Sequence, residues 1–274
     1  MSAQVEGPDP AWHAALRAEA DQAPRRPRWP LWAGEALIGS VEPDFLEAVQ
    51  ADCRLDARAV VQRTRRADAQ GWQVLGEPTA ALAQLALALR DAGLAHAWRD
   101  EQLAVTDARG RRIASIERAV VRPLGIPTRA VHLVGHDAQQ RVWAQQRALN
   151  KPNDPGLWDT LMGGMIAAAD TLGTALARET WEEAGLQLER LRQVEYGGCV
   201  RIRRPSDDGG GAGYVVEDID WYRCVVPDDL TPDNQDGEVE CFRLMDRTEL
   251  LALLHRGAFT TEAALILCED LFGR

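Results

Sequence analysis

The stretch that most constrains this chain is GGMIAAADTLGTALARETWEEAGL, residues 163–186. Its second half, Leu172 to Ala184, reads as a helix. Leu172, Ala175, Leu176 and Ala184 form an apolar face, and Arg178, Glu179, Glu182 and Glu183 lie largely off it. The three glutamates are related as i, i+3 and i+4, so at about 100° per residue they fall within one narrow arc. Like charges this close destabilise the helix by about 0.2–0.5 kcal/mol per pair, and Arg178 relieves Glu182 one turn away. On spacing alone two accounts stand. One is a solvated charged face. The other is a site for a hard divalent cation, because magnesium prefers carboxylate and water oxygens and brings in a substrate phosphate. Gly163-Gly164 marks a place where the backbone turns tightly or approaches a ligand closely.

Composition bounds the remaining options. Of 274 residues, 46% are hydrophobic and 27% charged, as expected for a globular chain of one large or two ordinary domains. The net charge of −11 argues against a mainly electrostatic partnership with nucleic acid. An acidic chain still acts on anionic substrates when a bound metal supplies positive charge. No apolar run approaches bilayer-spanning length, and the polar N-terminus lacks the basic start and apolar core of a secretory signal. The five cysteines (Cys53, Cys199, Cys224, Cys241, Cys268) are scattered without a C-x-x-C. This pattern predicts reduced, mostly buried thiols in a cytoplasmic protein and no zinc site.

The pattern divides the chain into 1–120 and 121–274. In the first part, PAWHAALRAEADQA and EPDFLEAVQ read as helices. TAALAQLALALRDAGL is the clearest helix, with Thr79 as N-cap and Gly93 at its end. EQLAVTDARGRRIASIER reads as a hairpin about Arg109-Gly110. In the second part, strands are expected either side of His136–Gln139. A Pro/Gly/Asn-rich loop follows, NKPNDPGLWDTLMGGM, and leads to the acidic helix. Two further strands flank PSDDGGGAG, a last strand lies in DGEVECFRLMD, and two helices close the chain.

The 163–186 stretch resembles the Nudix box, in which a glycine and an acid precede R-E-U-x-E-E-x-G-U, with U a bulky aliphatic residue. Gly164, Arg178, Glu179, Glu182, Glu183, Gly185 and Leu186 fall on this pattern. Asp170 stands where the family has glutamate, and Thr180 where it has an aliphatic. The resemblance implies an α/β fold: a Nudix α/β/α sandwich with a mixed sheet, preceded by a smaller α+β N-terminal domain. It also implies magnesium- or manganese-dependent hydrolysis of a small-molecule diphosphate. Glu179, Glu182 and Glu183 would carry the metal with the carbonyl of Gly163 or Gly164, and Arg178 would orient the carboxylates. Metal ions held by carboxylates neutralise diphosphate oxygens and activate water, and an acid outside the helix can accept the proton. Glu238 or Glu240 in DGEVE is the candidate, with an exposed strand end as the other account.

WRDEQLAV, IERAVVRPLGIPTRAVHLVGH and VWAQQRALNKPNDPGLWDTLMGG resemble a Nudix subfamily with its own N-terminal domain, related to thiamine-pyrophosphokinase-associated Nudix hydrolases. That resemblance implies thiamine diphosphate or its oxidised forms as substrate, giving the monophosphate. Arg147 and Lys151 would bind the diphosphate, and Trp158 or Trp143 would stack on the ring. Solvated loop residues and core tryptophans are the other accounts. Arg201, Arg203 and Arg204 reach a phosphate or form the outer face of a hairpin. His132 and His136 are expected in core or turn positions, and Asp159 fixes its loop. Trp98–Glu101 is expected at a domain interface. The N-terminal domain shapes the pocket, forms a homodimer or stabilises its neighbour. Three other functions fit the box: a Nudix enzyme acting on ADP-ribose, a dinucleotide or a nucleoside triphosphate; an isopentenyl diphosphate isomerase; and a ligand-binding Nudix protein without catalysis. The isomerase calls for a cysteine near the loop, and none lies between Cys53 and Cys199.

Overall fold

The computed structural model describes residues 9–52 and 59–273; Cys53 lies outside them. Helix α1 spans Pro10–Ala20. It is followed by strands β1 (Trp29–Ala33) and β2 (Ala36–Val41), helix α2 (Phe45–Asp52), strands β3 (Val61–Arg66) and β4 (Ala69–Val74), and helix α3 (Pro78–Asp91). The four strands form one sheet in the order β2-β1-β4-β3. Buried Leu82, Leu85, Ala86 and Leu89 of α3 belong to the same apolar cluster as Leu31, Ile38 and Trp72 of that sheet. The cap of α3 is Glu77, not Thr79: its carboxylate accepts the N–H groups of Thr79 and Ala80, and Pro78 occupies the first turn. Strands β5 (Gln102–Thr106) and β6 (Arg112–Glu117) form the expected hairpin, with Gly110 at φ +75°.

A second, seven-stranded sheet follows. Its main path is β11-β12-β7-β8-β13. The strands are β7 (Thr128–His136), β8 (Val142–Arg147), β11 (Arg192–Ser206), β12 (Gly213–Val225) and β13 (Val239–Met245). Strand β12 runs parallel to β7 and the other pairs are antiparallel, so the sheet is mixed. The segment expected as loop contributes two short strands, β9 (Trp158–Asp159) on β8 and β10 (Met162–Met165) on β7. Gly163 and Gly164 therefore sit in a ladder and not in a tight turn.

Alternation along β7 sets the layers. Val131 and Leu133 face helix α4 (Leu172–Ala184), while Ala130 and Val134 face α6 (Thr261–Phe272). Helix α5 (Arg247–His255) and α1 complete the second layer, through Leu250 and Leu254 and through Leu16 and Ala20. The result is an α/β/α sandwich with a mixed sheet. Helix α1 packs with α6 and β11 rather than with the four-stranded sheet, and Asp21 pairs with Arg203 at 2.9 Å. No helix among the described residues is long and apolar enough to cross a membrane. Cys224 and Cys268 are buried as expected, but Cys199 and Cys241 are exposed; all four are free. The two exposed thiols lie on strands whose outward positions are solvated.

Candidate active site

Helix α4 is set by its ends and by one face. Thr171 and Thr174 cap its start reciprocally, and Gly185 at φ +63° ends it. Ala175, Leu176, Thr180 and Ala184 are buried beneath it. Thr180, in the aliphatic position of the box, packs fully buried by donating its hydroxyl to the Leu176 carbonyl at 2.6 Å. Glu183 departs from the expectation for the polar face: it is 2% exposed. The turn that carries it points inward at the sheet, where Gln145 Nε2 and the Gly163 N–H donate to its Oε2 at 2.8 and 2.9 Å.

The paired glycines are needed for close approach. A Cβ on Gly164 would lie 2.2 Å from Cδ of Glu179, and one on Gly163 would lie 2.4 Å from Cε1 of His132. The strand can thus press against α4 on one face and the histidine on the other. His132 is buried, with Nδ1 2.9 Å from Thr160 Oγ1, and burial pushes its pKa down, as for a core histidine.

Arg178 gathers the acids of the helix. Its Nη1 lies 2.8 Å from Glu182 and 3.0 Å from Glu179, and its Nε and Nη2 donate to Asp170 at 3.0 and 2.9 Å. The shorter Asp170 thereby reaches the same guanidinium. Burial pushes the Glu179 carboxyl up to about 7; Arg178 pulls the other way, and Glu183 and Glu182 add to the rise. Burial also raises the pKa of Glu183, against the pull of Lys151.

These groups line a cleft of about 530 Å³. Arg147, Lys151, Asp159, Arg204 and Glu238 line it too, whereas Glu240 and Trp158 do not. Trp158 is the clear departure from expectation. Its main chain pairs with β8 and with Ala258, which turns the ring onto the apolar cluster under α6. Trp143 packs in the cluster under α4. Lys151 lies 2.6 Å from Glu238 and 3.5 Å from Glu183, and Arg147 lies 3.4 Å from Asp159. Arg201 pairs with Asp218 and Arg203 with Asp21, as the outer face of a hairpin; Arg204 turns to Glu262 at 3.0 Å. Glu238 sits between Lys151 and Arg99; burial works to raise its pKa, but the two cations hold it below the usual carboxylate range. Arg99, Glu101, Arg118 and Arg122 reach the cleft from the N-terminal half. Trp98–Glu101 was the only sequence pointer to that contribution. Gln145 was legible only as one position in an alternating strand.

The donor set suits a hard divalent cation: oxygen ligands, two of them on carboxyls that burial keeps from ionising freely. Among the described residues no three histidine, cysteine or acidic side chains converge on a common point. Arg178 lies between Glu179 and Glu182, and Gly163, Gln145 and Lys151 hold Glu183. The chemistry fits, and accommodating an ion requires these side chains to turn.

Fold and cleft together describe a Nudix-type domain. The NUDIX domain family profile matches residues 126–265, and the chain belongs to that family. Nudix hydrolase 20, chloroplastic, of Arabidopsis thaliana is 28% identical over 199 residues, covering 71% of this chain and 52% of its own length. An isopentenyl-diphosphate Delta-isomerase of Streptomyces avermitilis is 34% identical over 109 residues, covering 39% of this chain and 54% of its own. The chain spans about half the length of the curated relatives it matches. The solved structure of DR0079 from Deinococcus radiodurans aligns with 61% of this chain and 98% of its own, at 19% identity and a TM-score of 0.46.

Proposed function

We propose that the protein hydrolyses the phosphoanhydride of a small-molecule diphosphate with magnesium, or manganese in its place. The observation that carries this is the meeting of Glu179, Glu182 and Glu183 with the Gly163-Gly164 strand in one cleft, where carboxylates outnumber their cations. Those three glutamates would hold the metal, with the Gly164 carbonyl as a further ligand. When bound, the ion neutralises charge on the diphosphate oxygens and polarises an attacking water. Arg178 keeps the helix carboxylates aimed at the cleft. Glu238, which lines the cleft from outside α4, accepts the water's proton. Lys151 and Arg147 exchange their carboxylate partners for phosphate oxygens when substrate arrives.

Thiamine diphosphate and its oxidised forms, cleaved to the monophosphate, are the substrates we propose first, on the resemblance of the chain from about Gly34 onward. ADP-ribose and dinucleotides are the alternative. No tryptophan, tyrosine or phenylalanine lines the cleft among the described residues, which favours binding carried by the diphosphate rather than by ring stacking. None of the four described cysteines lines it either, which weighs against isomerase chemistry. The direct test offers the purified chain thiamine diphosphate, oxythiamine diphosphate, ADP-ribose and a dinucleotide with magnesium, and analyses the products. Release of a thiamine-type monophosphate supports the first reading. Preference for ADP-ribose or the dinucleotide keeps the chemistry and removes the thiamine assignment. No turnover of any of them removes the hydrolase reading for this class.

A further inference from the structure

We propose that Arg99, supplied by the N-terminal half, is a positioning residue of this cleft: it fixes the Glu238 carboxylate in the orientation that the hydrolysis uses. Two cations hold that carboxylate from different sides. Arg99 Nη1 lies 3.2 Å from Oε1, and Lys151 Nζ lies 2.6 Å from Oε2. Lys151 also lies 3.5 Å from Oε1 of Glu183. A chain of ion pairs therefore runs from the N-terminal half, through Glu238 and Lys151, to the acidic helix α4.

The segment that delivers Arg99 is held firmly. The Arg99 N–H donates to Oε1 of Glu117 at 3.0 Å, and Glu117 is 2% exposed. The next residue, Asp100, has φ +56°, a left-handed conformation that non-glycine residues adopt where surroundings impose it and where function often follows. Trp98 Nε1 donates to Asp100 Oδ1 at 2.7 Å, and the Arg90 guanidinium lies over the Trp98 ring, 4.3 Å from its centroid. Gln102 then returns the chain to β5, whose carbonyl accepts the Ala168 N–H just ahead of α4. Turn, strand and acidic helix are thus tied into one frame around the cleft.

A purely structural account explains the pair poorly. The side chains of Arg99 and Glu238 are each 36% exposed, and ion pairs this solvated contribute little to stability. Their value lies in geometry: once Lys151 turns to phosphate, Arg99 is the cation left to keep the carboxylate in one orientation toward the cleft, and small misplacement of a reacting group is costly in rate.

The inference rests on the hydrolase reading, and its test separates the two. Arg99→Gln, Arg99→Lys, Glu238→Gln and the Arg99→Gln/Glu238→Gln double variant of the full chain are assayed with magnesium on the diphosphate panel. Arg99→Gln is expected to lower kcat about tenfold with little change in KM, and Arg99→Lys to recover part of the loss. The double variant is expected to be no slower than Glu238→Gln alone, because Arg99 acts through Glu238. Independently of turnover, the Arg99 Nε–H resonance is expected to move in Glu238→Gln, with the Tm of Arg99→Gln unchanged. Wild-type kcat in Arg99→Gln, losses that multiply in the double variant, an unmoved resonance or a fall in Tm that accounts for the loss would each overturn the assignment. Failure of the wild-type chain to turn over any diphosphate overturns the hydrolase reading, and this one with it.

Discussion

The two ends of the seven-stranded sheet both bury acids, and they treat them oppositely. At the far end Asp270 is 6% exposed, with His136 Nε2 2.9 Å from Oδ2 and Arg223 Nη2 2.6 Å from Oδ1. One carboxylate has two basic partners. At the cleft end three carboxylates (Asp170, Glu179 and Glu182) share the single guanidinium of Arg178, and Glu183 shares Lys151 with Glu238. A buried charge is tolerated when paired and hydrogen-bonded. The far end pairs its charge with protein groups alone, although Asp270 Oδ1 and His136 Nδ1 are buried without a hydrogen-bond partner among the described residues. The cleft end holds negative charge in excess, which a bound cation would relieve.

The sharpest way to break this comparison is to remove one acid from each end. Glu182→Gln is expected to lower kcat/KM by about 10³-fold, as loss of a transition-state electrostatic contact does, while stability holds or rises because like-charge repulsion within α4 is relieved. Activity close to wild type would remove Glu182 from the proposed metal site. Asp270→Asn is expected to lower stability by about 3 kcal/mol, measured by urea unfolding, because Arg223 loses its counter-charge in a buried place, with little loss of turnover per folded molecule. A stable Asp270→Asn would show that the far end is not a structural ion pair.

A smaller effect is written in pH. Glu179 has its pKa raised from 4.5 to about 7 in the folded chain, so the folded state binds a proton that the unfolded state has released between those values. Its favourable contribution is therefore complete below about pH 4.5 and is lost as pH rises through about 7. Glu183 acts in the same direction. In chelator, Tm is expected to fall over this window more steeply for wild type than for Glu179→Gln, and added magnesium is expected to close the gap. Equal slopes in chelator would contradict the excess-charge account. The smallest effect belongs to the surface: Asp21→Ala, which removes the partner of Arg203 between α1 and β11, is expected to cost under about 1 kcal/mol in urea unfolding.

Short-range physics explains which parts were legible. The boundaries of α4 followed from apolar spacing and the box pattern, all within one segment; its Thr171–Thr174 cap emerged only in the structure. The β5–β6 hairpin followed from alternation about a glycine turn. The four strands of the N-terminal sheet were harder, because β3 (VQRTRR) is polar and mostly solvated and so lacks a clean alternation. Strands β9 and β10 are short and rich in glycine, and pairing with β7 and β8 makes them strands rather than intrinsic preference. The same limit governed the site. The arginine and glutamates of the helix were recognisable together because they are neighbours in sequence. Glu238 was one of two acids in DGEVE; the turn before β13 brings it to Lys151 and leaves Glu240 exposed.

By itself the sequence determined the acidic helix, the paired glycines before it and the family to which they point, because each depends on residues a few positions apart. Tertiary structure alone decided that Glu183 is buried, that Arg178 gathers Asp170 as well as two glutamates, that Trp158 faces the core, and that Arg99 reaches the cleft from the other half of the chain. Those outcomes depend on strand register and layer packing, which join residues far apart in sequence and set how much water each charge retains.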